Sequence, residues 1–399
     1  MEYSSISTEL TNKLSTNVKK SNGIYFTPPS TVDYNIQLLK PYIIKSTKEV
    51  LEPSCGSGEF ITNLNNTFPK LKITGIENNS HIYNTILQLE NDNISIHNKD
   101  FITYDNTKTY DMIIGNPPYY VMKKEEVDNK YRSYFDGRPN IFIIFILRSL
   151  ELLNDNGILS FVLPKNFLNC LYYDKTRKYI SSNFQILQIA ECNDEKYIET
   201  NQETFIFIIR KQKQVNNKLF ILDINNYTIF ANEDNIKKLT NLYKNSSTLV
   251  DHGFTARIGT VVWNQCKDIL TNDTSKTRLI YSSDIVDHKL SMKTYKNKDK
   301  KNFINKPGNT KTIIVVNRGY GTGNYKFNYS LIDCNCEYLI ENHLICIEHT
   351  GDLSNKSVTH TYKKILSSFN DKRTTEFINI YFGNNAINTA ELNYILPIY

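Results

Sequence analysis

Four consecutive residues, Asn116-Pro117-Pro118-Tyr119, place an amide, two prolines and an aromatic ring directly after a short apolar run at 110–115. The run is typical of a β-strand. Each proline fixes φ at about −65° and has no N–H group, so the turn is stiff and the Asn116 amide and Pro117 carbonyl become fixed acceptors. This arrangement suits a flat molecule whose amino group must be held. An ordinary Pro-Pro turn after a core strand explains the same residues, since such turns are common.

A second segment, residues 48–61, predicts a short strand, a loop with glycine at positions 56 and 58, and then a helix. Glycine lets a backbone approach a ligand closely, and the first turn of a helix offers unpaired N–H groups. Ile61 stands where the dinucleotide-binding pattern GxGxxG has its third glycine. We therefore expect a ligand with one nucleoside and a small zwitterion rather than a pyrophosphate.

Polar residues lie at the carboxyl ends of the other predicted strands in the first half of the chain. Glu77 ends one strand, Asp100 follows the next, and Asn116 follows the one after that. Strands alternate with helical segments here, which is typical of a parallel α/β sheet. The carboxyl ends of parallel strands lie at one edge, where ligands bind, and an acid after a glycine loop commonly accepts hydrogen bonds from a ribose. We expect these side chains to form one site.

The remaining pattern extends the sheet. Residues 1–22 are expected to be a polar lead-in, and residues 204–210 are so apolar that the strand they form should be buried on both faces. After residue 245 the alternation fades into short mixed segments, which predicts a domain boundary there. Further helices are predicted at 30–44, 141–153 and 232–244, and further strands at 157–164 and 185–191.

The amino-acid composition indicates the broad class of protein. With 399 residues, 40% hydrophobic and 22% charged, the chain can form two folded domains. Its seven cysteines are odd in number and lack a paired CxxC pattern, which argues against a disulfide framework or zinc site and for a reducing compartment. The first residues are polar, and the longest apolar run, Ile141–Leu147, is too short to span a membrane. We expect an intracellular, cytoplasmic protein without membrane or metal partners.

Charge is distributed unevenly along the chain. Residues 1–210 carry 22 Lys and Arg against 24 Asp and Glu, whereas residues 211–399 carry 25 against 17. The second half is therefore the better partner for a polyanion. Arginine on a loop can contact guanine edges or phosphates, although a solvated surface explains these residues equally well. The candidate contacts are Arg257, Lys293, Lys296 and Arg318.

Five motifs occur in a fixed order: GIYFTPP at 23–29, LEPSCGSGEF at 51–60, GIE at 75–77, KDF at 99–101 and NPPY at 116–119. This set resembles the gamma-type N6-adenine DNA methyltransferases of type II restriction–modification systems. The resemblance covers residues 23–210, and NRGYG and ENH in the second half look similar to recognition domains of this group. It implies a Rossmann-like, S-adenosylmethionine-dependent methyltransferase sheet in a catalytic domain, residues 1–245. A mixed α+β target-recognition domain, residues 246–399, would follow.

The resemblance also implies a role for each motif residue toward the cofactor, S-adenosylmethionine. Tyr25 and Thr27 would hold its methionine part, Glu77 its ribose hydroxyls and Asp100 its adenine amino group, while Phe101 would pack on its ring. The residues implied to line its central portion are Glu52, Cys55, Gly56 and Gly58.

The same resemblance assigns the target base. Asn116 and Pro117 would hold N6 of a flipped adenine, Pro118 would stiffen the turn, and Tyr119 would stack on the base, with Tyr197 as a second aromatic. The implied partner is double-stranded DNA, with the protein acting as a monomer, without a metal, and a cognate restriction endonuclease acting separately. NPPY is also shared with enzymes that methylate RNA adenine or protein glutamine, and an inactive DNA-binding protein is a further alternative.

Overall fold

The computed structural model describes residues 3–105, 107–192, 202–212, 216–319, 325–351, 355–382 and 386–399, without the side chains of 355–359. The chain forms two compact units. Unit 1 comprises Met1–Asp223 and Tyr227–Ile236, and unit 2 comprises Ile224–Asn226 and Lys237–Tyr399. Assignment of separate functions to 1–245 and 246–399 stays a prediction. In the described part of the chain, no helix is long and apolar enough to cross a membrane.

Unit 1 is built on a seven-stranded sheet in the order β3-β2-β1-β4-β5-β7-β6. Neighbouring strands from β3 to β5 are parallel, and β7 runs antiparallel to both β5 and β6. This confirms the expected Rossmann-like sheet. The strands are β1 (Glu49–Glu52), β2 (Lys72–Glu77), β3 (Ile94–Asn98), β4 (Tyr110–Gly115), β5 (Leu153–Pro164), β6 (Phe184–Glu191) and β7 (Thr204–Lys211), followed by the hairpin β8 (Ile221–Ile224) and β9 (Tyr227–Phe230).

The helices depart from the sequence prediction in two places. The prediction of a polar lead-in at residues 1–22 is wrong, because this segment forms helices α1 and α2. Each helix is capped by a serine side chain. The prediction that strands and helices alternate regularly is also wrong between β3 and β4, because the described residues between these strands contain no helix. The helices are α1 (Ser5–Lys13), α2 (Thr16–Asn22), α3 (Pro29–Leu39), α4 (Glu59–Thr67), α5 (Ser80–Ile86), α6 (Ile141–Leu152), α7 (Asp174–Asn183) and α8 (Glu233–Leu242).

Hydrophobic clusters cover both faces of this sheet. The adjacent β1 residues Val50 and Leu51 belong to different clusters, because successive strand side chains point to opposite faces. Helix α6 is apolar on nearly all sides and is buried in the cluster of Leu51. The sheet is therefore a rigid base from which the loops at its carboxyl edge project.

Unit 2 combines short strands and helices, as expected for a mixed α+β unit. One sheet has the order β10-β19-β16-β17 and another the order β11-β15-β12-β18. The elements are β10 (Phe254–Ile258), β11 (Leu270–Thr271), β12 (Thr277–Ile280), β13 (Ile285–Val286), β14 (Lys289–Leu290), β15 (Phe303–Ile304), β16 (Ile313–Asn317), β17 (Tyr329–Ile332), β18 (Tyr338–Ile340), β19 (Leu344–His349), α9 (Asn355–Phe369), α10 (Lys372–Tyr381) and α11 (Thr389–Tyr394).

Candidate functional site

A cavity of about 540 Å³ lies at the carboxyl edge of the unit 1 sheet. Residues from all five motifs line it, so the fold brings together segments that are far apart in sequence. Pro117, Tyr119 and Gly58 are not among its lining residues. The predicted site residues that do line it are Tyr25, Thr27, Glu52, Cys55, Gly56, Glu77, Asp100, Phe101, Asn116 and Pro118.

The glycine loop uses its two glycines differently. Gly56 and Gly58 both have positive φ, of +53° and +77°. A Cβ on Gly58 would lie 2.3 Å from Cδ1 of Leu89, the end of a flexible side chain that would have to move, while the positive φ itself favours glycine. A Cβ on Gly56 would meet only the Phe26 ring, at 3.4 Å, and Gly56 lines the cavity. Of the two glycines, Gly56 therefore borders the cavity, and its role toward a ligand stays a prediction.

Glu77 is held at the end of β2 by two backbone donors. Its Oε2 accepts from the N–H of Gly56 at 2.9 Å and its Oε1 from the N–H of Asn79 at 2.8 Å. The side chain is only 8% exposed, and burial raises its pKa to about 7 although the backbone hydrogen bonds oppose the shift. The carboxyl group therefore changes charge near neutral pH at the mouth of the cavity.

Glu52, at the end of β1, is a buried acid. It is 1% exposed, and its Oε2 has no hydrogen-bond partner among the residues that the structure describes. Burial, with the nearby charges of Glu77 and Glu59, raises the pKa of Glu52 well above its usual value. An unsatisfied buried oxygen beside a cavity suits a ligand that brings a positive charge or a donor.

The Asn116 side chain is oriented by both of its neighbouring loops. Its Nδ2 donates to Thr27 Oγ1 at 3.0 Å and to the Tyr25 carbonyl at 3.3 Å, while its Oδ1 accepts from the Tyr119 hydroxyl at 2.5 Å. The 23–29 loop and the 116–119 turn pack closely, since a Cβ on Gly23 would lie 2.7 Å from the Tyr119 nitrogen. The amide is therefore fixed with its oxygen as an acceptor. Sequence reasoning missed this link from Thr27 to Asn116.

Tyr119 is engaged with protein atoms. Its hydroxyl is also within 2.8 Å of the Val162 carbonyl, so one proton serves two acceptors. The ring packs edge-on against Phe142, with centroids 6.0 Å apart. Its predicted stacking on a base stays a prediction.

Asp100 and Phe101 continue the cavity wall beyond β3. Asp100 Oδ1 accepts from the N–H of Ile102 at 2.9 Å, and the buried Phe101 ring packs on Phe145 with centroids 5.0 Å apart. The prediction from sequence overlooked lining residues that follow the NPPY motif or begin α6. These are Tyr120, Met122, Glu126, Ile141 and Phe145.

The N-terminal helix is fastened to the glycine loop, which the lead-in prediction did not anticipate. Glu59 Oε1 accepts from the hydroxyls of Ser4 and Ser7, at 2.6 and 2.5 Å. The Ser7 and Ser57 hydroxyls are also hydrogen-bonded to each other, at 2.8 Å, and Ser7 is fully buried. Helix α1 therefore fixes the first residue of α4, directly after the loop that lines the cavity.

The candidate DNA contacts fall in unit 2 and differ in their surroundings. Arg257 lies in β10, not in a loop as expected, and is paired with Glu348. Lys293 and Lys296 are exposed, and half-buried Arg318 follows β16. Tyr197 lies outside the described residues. The roles of all these residues stay predictions.

The sheet order, its one reversed strand and the cavity at the carboxyl edge together define a Rossmann-like methyltransferase fold. The family model described as "Eco57I restriction-modification methylase" matches residues 58–198. Over 395 residues the chain is 27% identical to the type II methyltransferase M.CvrRI of Paramecium bursaria Chlorella virus XZ-6E, covering 96% of this chain and 95% of that protein.

Two further relatives of the chain are also methylases or methyltransferases by name. The modification methylase CviBIII of Paramecium bursaria Chlorella virus NC1A is 26% identical, with 99% of this chain and 98% of that protein covered. The type II methyltransferase M.HincII of Haemophilus influenzae is 30% identical, with 54% of this chain and 42% of that protein covered. The resemblance to type II restriction–modification methyltransferases is confirmed.

Two solved structures align with the chain at TM-scores below 0.5. The type IIG restriction endonuclease BpuSI aligns with a TM-score of 0.44 at 12% identity, covering 98% of this chain and 60% of that one. A putative class I S-adenosylmethionine-dependent methyltransferase from Listeria monocytogenes aligns with a TM-score of 0.45 at 18% identity, covering 52% of this chain and 65% of that one.

Proposed function

We propose that this chain is a site-specific DNA methyltransferase that transfers a methyl group from S-adenosylmethionine to N6 of a flipped adenine in duplex DNA. The observation that carries the proposal is the fixed amide of Asn116, whose Nδ2 is held by Thr27 and whose Oδ1 accepts from Tyr119. This acceptor lies where the fourth strand of the sheet ends, in the wall of the same cavity as the glycine loop and Glu77.

The residues present fit S-adenosylmethionine. The unpaired buried oxygen of Glu52 suits its positively charged sulfonium or ammonium group, and the Glu77 carboxyl suits the ribose diol. Gly56 leaves room for close approach of the ligand, and Phe101 supplies an apolar wall for a base. When bound, the cofactor supplies a methyl group on a positively charged sulfur.

The chain's own residues act on the amine. The lone pair of an exocyclic adenine amine is delocalised into the ring, which makes N6 a weak nucleophile. Hydrogen bonds from N6 to Asn116 Oδ1 and the Pro117 carbonyl favour tetrahedral geometry and offset the positive charge that develops as N6 attacks. Pro118 keeps the turn stiff, so the acceptors need no reorganisation, and the fixed geometry lowers the entropic part of the barrier.

Access to N6 requires that the base leave the helix. Unstacking a base costs a few kcal/mol, and contacts with the rest of the DNA must offset it. The excess of basic residues in the second half of the chain suits this role. Tyr119 and Tyr197 are the proposed stacking partners for the flipped base. We envisage a monomer that needs no metal and works separately from a cognate restriction endonuclease.

The test is methyl transfer from labelled S-adenosylmethionine to duplex DNA, RNA and a glutamine-containing protein, each offered separately. Labelled N6-methyladenine in the DNA alone is expected. Transfer only to RNA or protein would refute the DNA assignment and identify the substrate of the shared NPPY site.

Variants connect the activity to the site. Asn116→Ala should lower the rate of methyl transfer by roughly 100-fold or more, while leaving cofactor affinity nearly unchanged. Asn183→Ala, at an exposed position of α7, is the matched control and should behave as the unmodified protein. An active Asn116→Ala variant would rule out the mechanism.

A further inference from the structure

Three loops of unit 2 meet at one end of the sheet β10-β19-β16-β17. Asn317, at the end of β16, pairs with Leu344 at the start of β19, and Ile258, at the end of β10, pairs with Ile345. The loops that follow β10 and β16 therefore lie on either side of the turn that precedes β19. Gly259 and Thr260 directly follow β10, Arg318 and Gly319 directly follow β16, and the ENH sequence at 341–343 directly precedes β19.

Backbone contacts make this edge rigid. The Asn342 N–H donates to the Val261 carbonyl at 2.9 Å, and the Arg318 N–H donates to the His343 carbonyl at 3.2 Å. A Cβ on Gly259 would lie only 2.2 Å from the Glu341 carbonyl oxygen, so the first loop can approach the turn only with glycine there. The side chains of the edge therefore project from a fixed frame.

The turn itself presents two polar side chains. Its four residues, Glu341 to Leu344, are closed by a 3.1 Å hydrogen bond from the Leu344 N–H to the Glu341 carbonyl, which places Asn342 and His343 at the tip. The Glu341 carboxylate, 3% exposed, accepts from the His343 N–H at 3.1 Å and pairs with His343 Nδ1. A buried acid thus fixes the orientation of a histidine ring that is 44% exposed.

Arg318 completes the set. It is half-buried, and its Nη1 is 3.5 Å from the Asn342 carbonyl, so its guanidinium lies beside the tip of the turn. Arginine forms paired hydrogen bonds with guanine. Histidine offers a ring N–H or an acceptor nitrogen to a base edge. The Asn342 Oδ1 is buried, so this side chain cannot pair with adenine through both of its polar atoms. Arg318 and His343, held on a rigid edge, can read sequence, whereas contacts to phosphates position the protein without reading it.

We propose that Arg318 and His343 form a base-reading edge for duplex DNA, with Glu341 as the residue that positions the His343 ring. The proposal rests on the proposed function, because it takes DNA as the partner, and goes beyond it by separating sequence readout from general attraction. Exposed Lys293 and Lys296 would supply that general attraction. Arg257, held by Glu348, has a structural role in this scheme.

The test compares sequence preference with overall affinity. Wild type and the variants Arg318→Ala and His343→Ala are each used to select duplexes from a random pool, and methylation is mapped at the preferred site and at sites with one changed base pair. Each variant should lower discrimination at one position, on the order of tenfold. Cofactor affinity should stay unchanged. His360→Ala, an exposed histidine of α9, is the matched control.

Glu341 is tested by rescue. Glu341→Gln keeps a side-chain oxygen that can accept from His343 and should retain most discrimination, whereas Glu341→Ala should lose as much as His343→Ala. A merely structural role would lower methylation at all sites equally. Should the Glu341 variants fail to fold, the exposed His343→Ala variant still decides the matter.

The two proposals fail in distinguishable ways. Wild type that selects a sequence but methylates no DNA would refute the proposed function, and variants with weakened selection would still support the reading edge. Wild type that methylates DNA with variants of unchanged preference would overturn the reading edge alone. Wild type that selects no sequence would overturn the reading edge whatever its activity.

Discussion

The Tyr119 hydroxyl donates to Oδ1 of Asn116 at 2.5 Å, the same oxygen that is proposed to accept from the target amine. Without a substrate, this bond satisfies an acceptor that would otherwise be unpaired at the cavity wall. Oδ1 has a second lone pair that can accept from the target amine, and the Tyr119 hydroxyl is also 2.8 Å from the Val162 carbonyl. The tyrosine of the motif thus supplies a donor that helps to fix the amide as well as a ring.

Tyr119→Phe separates the two contributions, since it keeps the ring and removes the donor that helps to fix the Asn116 amide. Because one hydrogen bond contributes about 0.5–1.5 kcal/mol, we expect kcat to fall by roughly two- to tenfold with little change in affinity for DNA. Tyr119→Ala should instead lower kcat/KM by roughly tenfold or more, because a stacking partner is lost. Steady-state kinetics with duplex DNA measure both. A Phe variant as impaired as the Ala variant would refute this division.

Thr27→Val tests whether Thr27 orients the amide of Asn116. The substitution leaves the Asn116 Nδ2 without its 3.0 Å acceptor, and an unpaired polar group costs about 1–3 kcal/mol. We expect kcat to fall by roughly tenfold or more while the Kd for S-adenosylmethionine changes little. Thr31→Val is the matched control, because the buried Thr31 hydroxyl has no partner among the described residues. A rise in Kd with unchanged kcat would favour the methionine-binding role instead.

Cofactor affinity should depend on pH through Glu77. Burial raises its pKa to about 7, so the carboxylate that is proposed to accept from a ribose diol is scarce below that pH. Affinity should therefore rise roughly tenfold per pH unit up to about pH 7 and then level off, as measured by calorimetry. Glu77→Gln should bind weakly and lose this dependence. A pH profile shared by the Gln variant would exclude Glu77 as its source.

The raised pKa of Glu77 also has a consequence for stability without cofactor. Between its ordinary value of 4.5 and about 7, the folded protein holds a proton that the unfolded chain has lost. The contribution of Glu77 to the free energy of unfolding is therefore full below pH 4.5 and is lost as pH rises toward 7. Glu77→Gln should remove that slope in chemical denaturation. An unchanged slope would contradict the assignment.

Gly58→Ala should destabilise the fold more than Gly56→Ala. Both positions have left-handed backbone, which costs a Cβ about 1–2 kcal/mol, but only at Gly58 does the Cβ collide with Leu89. Adding Leu89→Ala should recover the part of the loss that comes from the collision. Thermal unfolding measures all three variants. Equal losses for the two single variants would show that packing against Leu89 has no influence.

Sequence alone determined where the site lies. Parallel strands bring their carboxyl ends to one edge, so Glu52, Glu77 and Asn116 meet once the strands are correctly identified. The strands are identifiable because apolar runs and the turn residues that end them are local signals. The helices in residues 1–22 escaped prediction, because their polar sequence becomes helical through serine caps and burial of a few residues such as Leu10.

Only the tertiary structure decided how the site is held. Thr27 and Asn116 are 89 residues apart, and their hydrogen bond depends on how two loops pack at the sheet edge. The Tyr119 hydroxyl could point to solvent in a bare tetrapeptide; here its partners are Asn116 and a carbonyl 43 residues away. Strand pairing likewise places Arg318 beside His343. Local sequence specifies strands and turns, whereas such side-chain partners follow from the long-range packing that joins them.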